Sequence, residues 1–253
     1  MVQPWTPGFH KGYKEGGHAT GVSAQTGLTV MDSKNNTRDI VQQEAMLWGD
    51  AAEGYFSRAE ACFEKQWKTL IEPFLFSVEV DTSCVLELAA GRGRNTAKLS
   101  SLCDRVLAVD VNPENIAFLR QRFQDTPNVA IIHNSGTDLA DIPDDSVSLV
   151  YCFDSMVHFD IEIIIPYLKE FARILRPGGL GFCHHSNYTD GPGKDFRDNP
   201  HWRNFMSKNL FHHLCRRSGL DVLKQQVFDW SGEPELDCFT LFTPGAGEKA
   251  SES

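Results

Sequence analysis

His158 and Asp154 are, by type and spacing, the side chains of this 253-residue chain best suited to handle a proton. They come at the end of an apolar run, Ser146 to Phe153, and their separation of four residues fits one face of a helical turn. Imidazole accepts a proton near neutral pH, so His158 is a candidate general base, and Asp154 is placed to orient it or to bind a substrate. A packing histidine and a helix-capping aspartate are the plainer alternative. His184 and His185 end another apolar run, where strand alternation sends them to opposite faces, so at most one reaches a substrate; His185 joins the catalytic candidates. No spacing among these residues matches a metal motif, and no metal is expected.

A second kind of chemistry is suggested by Val85-Leu86-Glu87-Leu88-Ala89-Ala90-Gly91-Arg92-Gly93-Arg94-Asn95-Thr96, which reads as strand, tight turn and helix. Small residues in the turn let a ligand approach the backbone, and the new helix offers unpaired N–H groups to a negative group. An adenosine-containing cofactor suits such a place, although a lone Gly-x-Gly is also compatible with a purely structural turn. Asp110 closes the next apolar strand 23 residues after Glu87, near the distance at which nucleotide folds set a carboxylate on ribose hydroxyls. A helix cap in Asp-x-Asn-Pro is the alternative for Asp110. Ser135-Gly136-Thr137-Asp138 forms a polar turn after a third strand, Val129 to His133.

The elements that must position these residues alternate. Strands are expected at Val85–Leu88, Arg105–Asp110, Val129–His133, Ser146–Phe153 and from Leu180 to His185, with helices between them, and a hairpin closes the chain from Leu220 to Thr243 around Ser231-Gly232-Glu233-Pro234. Near-continuous apolar strands alternating with helices imply a parallel sheet covered on both faces. An amphipathic helix runs from a capping box at Asp50 to Glu53 through Tyr55, Phe56, Phe63, Trp67 and Ile71; Trp48, Gly49 and Tyr55 are minor candidates for a cofactor wall. Residues 1–40 lack periodic apolar signal and read as a flexible arm or a lid, residues 41–243 as the domain, and residues 244–253 as a solvated, disordered tail. The polar stretch from Ser186 to Arg203 predicts a long loop at the ligand edge of the sheet.

A formal net charge of −10 argues against nucleic acid as a partner. No run approaches a membrane span, the start lacks a signal-peptide layout, and the seven cysteines read as reduced core residues; a soluble, cytoplasmic protein is expected.

Taken together, the series resembles the class I S-adenosylmethionine-dependent methyltransferases. Glu87-Leu88-Ala89-Ala90-Gly91-Arg92-Gly93 is similar to their acidic glycine turn, Asp110 to their ribose acid, and Leu175-Arg176-Pro177-Gly178-Gly179 to their turn before the fifth strand. Ala89 stands where the family often has its first glycine. The resemblance implies a Rossmann-like α/β fold with a seven-stranded, mostly parallel sheet, and S-adenosyl-L-methionine as cofactor. It also implies a cofactor site of Glu87, Ala89, Gly91, Gly93, Asp110, Val111, Ser135, Gly136, Thr137, Asp138 and Phe153, with either Ser135 or Asp138 meeting the adenine amino group. A nicotinamide-binding fold fits less well, since Thr96 falls where its third glycine belongs. The expected reaction is O-methylation of a small hydroxylated acceptor, a sugar or secondary metabolite, because His and Asp crowd the acceptor side. N-methylation and an inactive ligand-binding scaffold are the alternatives.

Overall fold

A computed structural model describes residues 33–49 and 52–245. Seven strands form one sheet: β1 (Val85–Leu88), β2 (Val106–Asp110), β3 (Val129–His133), β4 (Val147–Cys152), β5 (Leu175–Ser186), β6 (Leu220–Trp230) and β7 (Glu233–Pro244). Their order is β3-β2-β1-β4-β5-β7-β6. β1 to β5 run parallel, and β7 inserts antiparallel between β5 and β6. The strand order reverses at β1 and β4, so the carboxyl ends of β1, β2 and β4 share one edge, where open parallel sheets bind ligands.

Continuous apolar strands can be buried on both faces only if helices cover both, and they do. On one face α6 (Ile161–Ile174) and α7 (Lys208–Arg217) pack Ile164, Leu168, Phe171 and Phe211 against Leu86, Val150 and Cys183. On the other, α2 (Glu53–Gln66) and α3 (Glu72–Leu75) pack Phe63, Phe74 and Leu75 against Val85, Tyr151 and Phe182. A π-turn, Trp67–Ile71, joins α2 to α3 just before Pro73, whose missing N–H breaks the i→i−4 ladder. Helices α4 (Arg94–Ser100) and α5 (Pro113–Arg122) follow β1 and β2.

Several boundaries differ from the sequence reading. Residues 33–40, read as part of an arm, lie within a helix, α1 (Ser33–Leu47), whose Val41 is buried; residues 1–32 lie outside the described residues. Asp50 also lies outside them, and α2 begins after Ala52 with no side-chain cap. The Arg176-Pro177-Gly178-Gly179 turn is a bulge within β5: Val147 pairs with Leu175 and Leu149 with Leu180, so four residues loop out. The closing hairpin is tighter than expected because Ser231 and Gly232 both adopt left-handed backbone, a two-residue turn that lets Trp230 pair with Glu233. The tail begins later too: β7 runs to Pro244, the Gly245 amide donates to the Gly219 carbonyl, and residues 246–253 are outside the described set. Among the described residues no helix is long and apolar enough to cross a membrane, and the seven cysteines are all free.

The β5/β7 seam generates a stability prediction. Gly181 faces Phe242 across it, and a Cβ at Gly181 would come within 1.9 Å of the buried Phe242 ring. Gly181→Ala is expected to cost about 3 kcal/mol, the upper end for overpacking a core, in denaturant unfolding. An unchanged unfolding midpoint would show that the seam has slack.

Candidate active site

The turn after β1 is built to keep side chains out of the way. Ala89, Gly91 and Gly93 all have positive φ (56°, 56° and 79°). Gly93 caps α4, and a Cβ there would meet Leu119 and Phe123 at under 3 Å, so only glycine lets α5 pack so close. Asp110, at the end of β2, bridges this turn to the next: its Oδ2 accepts from the Gly91 amide at 2.8 Å and its Oδ1 from the Asn112 amide at 2.8 Å. Burial raises the Asp110 carboxyl above its ordinary range, while these hydrogen bonds hold it down in part. Glu87 sits behind the turn, 1 % exposed, taking a hydrogen bond from the Thr96 hydroxyl at 2.5 Å.

The turn and Asp110 border a cavity of about 980 Å³, counting its open mouth, lined by Ala89, Gly91, Asp110, Val111, Gly136 and Phe153 among others. Helix α1 forms its cover. The Asn112 side chain donates to the Ala45 carbonyl and Asn115 to the Trp48 carbonyl, while Val41 packs so near Gly136 that a Cβ would clash at 2.3 Å. Asn115 Oδ1 and Asn134 Oδ1 are buried without a hydrogen-bond partner among the described residues, and both residues line this cavity. Orphaned acceptors beside a glycine turn and a carboxylate fit a ligand rich in hydroxyl and amino donors, as an adenosine is.

A second cavity, about 1290 Å³ with its mouth, adjoins the first. Trp48, Tyr55, Arg94, Asp154 and His158 line both. Trp202, Trp230, Leu47 and Ala59 give the second an apolar and aromatic wall, and Arg58, Arg94 and Arg203 give it cationic groups. Asp154, just beyond β4, holds a left-handed backbone (φ 58°), and its Oδ2 accepts from Arg94 at 2.7 Å and from the Tyr55 hydroxyl at 2.7 Å. Burial alone would raise the Asp154 carboxyl, but the Arg94 and Arg203 charges outweigh it and hold the group ionised below its usual range. Burial and the same Asp154 charge push the Tyr55 phenol up, so it stays a neutral donor. His158 is 6 % exposed and lies 4.8 Å, ring to ring, from Trp48; its Nδ1 is 2.6 Å from the Trp202 carbonyl. Since a carbonyl only accepts, Nδ1 carries the proton and Nε2 is left as the acceptor. Burial, with the Arg203 charge, pushes the imidazole down to about 4, so it is neutral at pH 7.

The structure therefore gathers most of the expected residues and disperses some. His158 and Asp154 meet on the shared wall; Ala89, Gly91, Asp110, Val111, Gly136 and Phe153 meet in the first cavity. Glu87 and Gly93 support the turn from behind it and are not among the lining residues. Ser135 and Asp138 hydrogen-bond each other, Thr137 sits with them, and it is the neighbouring Asn134 that lines the cavity. His185 corrects the expectation for the fifth strand: it points into the core, stacked 3.8 Å from Phe211 with its ring nitrogens on Ser186 and Thr240, and borders neither cavity. Trp48 and Tyr55 do line the first cavity, whereas Gly49 packs on Asn112 and Glu114. Arg94, Asn115, Asn134, Trp202 and Arg203 complete the two walls; Arg94 belongs to the strand-turn-helix stretch and Trp202 and Arg203 to the polar stretch expected at the ligand edge, whereas no motif marks Asn115 or Asn134.

An open α/β sheet with a glycine turn, an acid after β2 and a cavity at the switch point defines a nucleotide-type cofactor fold. Residues 85–179 match the family model described as a methyltransferase domain. A Mycobacterium tuberculosis protein named "Probable S-adenosylmethionine-dependent methyltransferase" is 30% identical over 146 residues, covering 57% of this chain and 51% of the relative. The chain thus spans about half the length of that relative. Among solved structures, the methyltransferase bound to the Trm112 methyltransferase activator of Haloferax volcanii superposes with TM-score 0.59 at 19% identity, over 79% of this chain and 97% of that one. The glycopeptide N-methyltransferase MtfA, complexed with S-adenosylmethionine, gives TM-score 0.54 at 18% identity, over 68% and 92%. These two likenesses are of fold. The match over residues 85–179 makes this chain similar to the S-adenosylmethionine-dependent methyltransferases over the stretch that holds the glycine turn and Asp110, and the first cavity fits the cofactor of those proteins.

The buried Glu87 gives a pH prediction. Burial raises its carboxyl to about 8, against the opposing Thr96 hydrogen bond and Arg94 charge. A raised pKa means the folded chain holds a proton that the unfolded chain releases near 4.5, so this group's stabilisation is complete below about 4.5 and is lost as pH climbs to about 8. Glu87→Gln, neutral at every pH, is expected to flatten that decline and to exceed the wild type in stability above about pH 8. Parallel stability curves for the two proteins would contradict it.

Proposed function

We propose that the protein methylates a hydroxyl of a small acceptor, a sugar or secondary metabolite, held in the second cavity while S-adenosylmethionine occupies the first. The observation that carries this reading is His158 on the wall common to both, with Nδ1 committed to Trp202 and Nε2 left to accept. When bound, the cofactor supplies an electrophilic methyl group on a sulfonium, leaving as a neutral thioether once an acceptor oxygen takes the methyl carbon. Gly91, Asp110, Asn115 and Asn134 would hold the nucleoside end through backbone approach, carboxylate and amide acceptors. His158 Nε2 would take the hydroxyl proton, and Asp154, ionised beside Arg94, favours the imidazolium that results. Trp48, Trp202 and Trp230 offer flat apolar surfaces for the face of a sugar or other ring, and the lid-like α1 with Trp48 helps exclude water. Free cysteines support a reducing, cytoplasmic setting, and the acidic chain favours neither nucleic acid nor membrane as partner.

Two variants test the reading with a labelled methyl donor and a panel of hydroxylated and amine acceptors. Asp110→Ala is expected to weaken cofactor binding at least several-fold in calorimetry, through lost charge-assisted hydrogen bonds; unchanged affinity would remove Asp110 from the site. His158→Ala is expected to keep cofactor affinity and to lower turnover by about a hundredfold or more. Because the wild-type base is neutral down to about 4, turnover should stay level through neutrality and fall only on that acid limb. Near-normal turnover in His158→Ala would leave proton removal to another group, and a preference for amines over hydroxyls would overturn the acceptor class.

A further inference from the structure

We infer that Asp237, a buried carboxylate on β7, is a positioning residue that holds both polar groups of the shared wall, acting through Arg203 on His158 and through His184 on Asp154. The inference rests on the role given to His158 above. Asp237 is fully buried, and each of its oxygens is used: Oδ1 accepts from Arg203 Nε at 2.8 Å, and Oδ2 from Arg203 Nη2 at 2.7 Å and from His184 Nε2 at 2.9 Å.

The first arm runs through the loop between β5 and α7. Arg203, 2 % exposed, forks onto Asp237 and also donates from Nη1 to the His201 carbonyl at 2.9 Å. His201 and Trp202 are consecutive non-glycine residues with left-handed backbone (φ 49° and 57°), a conformation that persists only where the surroundings over-determine it. The guanidinium fork supplies that restraint from one side. From the other, the Asn204 amide donates to the Val157 carbonyl at 2.9 Å and its side chain to the His158 carbonyl at 3.2 Å. The strained turn exists to deliver one atom, the Trp202 carbonyl oxygen, to His158 Nδ1. That contact selects the tautomer with Nε2 free, which is the tautomer a base needs.

The second arm runs through the imidazole of His184. A neutral imidazole carries one N–H, and Asp237 takes it at Nε2, so Nδ1 must accept; it accepts the Asp154 backbone N–H at 3.2 Å. Asp154 is likewise left-handed, and without that partner its amide would be orphaned beside the stacked rings of Phe153 and His184. One carboxylate, distant in sequence from both groups, thereby fixes the backbone under Asp154 and the ring state of His158. A charge so deeply buried is retained at a desolvation cost, which a purely packing role would not require.

The test uses Asp237→Asn, which keeps the shape and removes the charge, and Arg203→Lys, which keeps the charge and removes the fork. In long-range proton–nitrogen NMR of histidine-labelled protein, with the His158 signals identified by their loss in His158→Gln, the wild type is expected to show His158 wholly in the Nδ1–H form. Both variants should show a mixture of tautomers, cofactor affinity like that of the wild type, and turnover lower by about tenfold to a hundredfold, as for a slightly misplaced group. If Asp237→Asn does not fold, Arg203→Lys decides alone. A folded variant whose His158 keeps the single tautomer overturns the inference whatever its rate. The NMR measurement needs no acceptor, so it stands even if no methyl transfer is found, and loss of the proposed reaction is told apart from loss of this one.

Discussion

The carboxylate of Asp110 ties the two loops that matter most at the functional edge. Parallel strands deliver their carboxyl ends to one side, but nothing in a sheet dictates how the loops beyond them are spaced. Asp110 supplies that spacing by accepting the Gly91 amide from the β1 turn and the Asn112 amide from its own. Asn112 in turn caps α5 and reaches the Ala45 carbonyl, so the cover helix α1 is registered to the same carboxylate through one intermediary. The floor, rear wall and roof of the first cavity all refer back to that group.

The wall of the second cavity is organised differently, by buried charge. Arg203 and Asp237 are buried and Arg94 and Asp154 largely so, and each is paired with a partner of opposite sign. Such pairs contribute little net stability once desolvation is counted, yet breaking one leaves an uncompensated charge in the interior. They are well suited to fixing geometry. Here they hold three non-glycine residues, Asp154, His201 and Trp202, in left-handed backbone around the place where the two cavities meet. Of the aromatic groups that complete the wall, Trp48 meets both Tyr55 and Trp202 edge to face, and the polar atoms of Asp154 and His158 lie at the junction.

What the amino-acid sequence disclosed follows from the range of the interactions involved. β1 starts and stops where its apolar run does, since a strand buried on both faces is written in consecutive residues; β3 and β6, at the two edges of the sheet, keep their expected bounds although neither is buried throughout. The Gly91 and Gly93 turn and Asp110 were legible because each motif is short and its spacing is set by one βαβ unit. Alternation correctly separated His184 from His185 but carried no information on which face held the cavities, and His185 turned out to face Phe211. Ser135 and Asp138 satisfied each other across a turn, a local pairing that left Asn134 to line the cavity. The Tyr55–Asp154, Arg94–Asp154 and Arg203–Asp237 contacts join residues 99, 60 and 34 positions apart, and no local pattern announces them. Nor did α1 announce itself, because its polar face dominates its composition and its place over the cavity depends on Asn112 and Asn115 from a different element.

In the proposed reaction the two adjoining cavities take the cofactor and the acceptor, with His158 and Asp154 between them. A crystal structure of the protein with S-adenosylhomocysteine tests it most directly. The expected result is the nucleoside against Gly91, Asp110 and Gly136, under α1, with the sulfur turned toward the wall that carries His158 and Asp154. Density for the ligand among Trp202, Arg203 and Trp230, or a sulfur facing away from that wall, would contradict it.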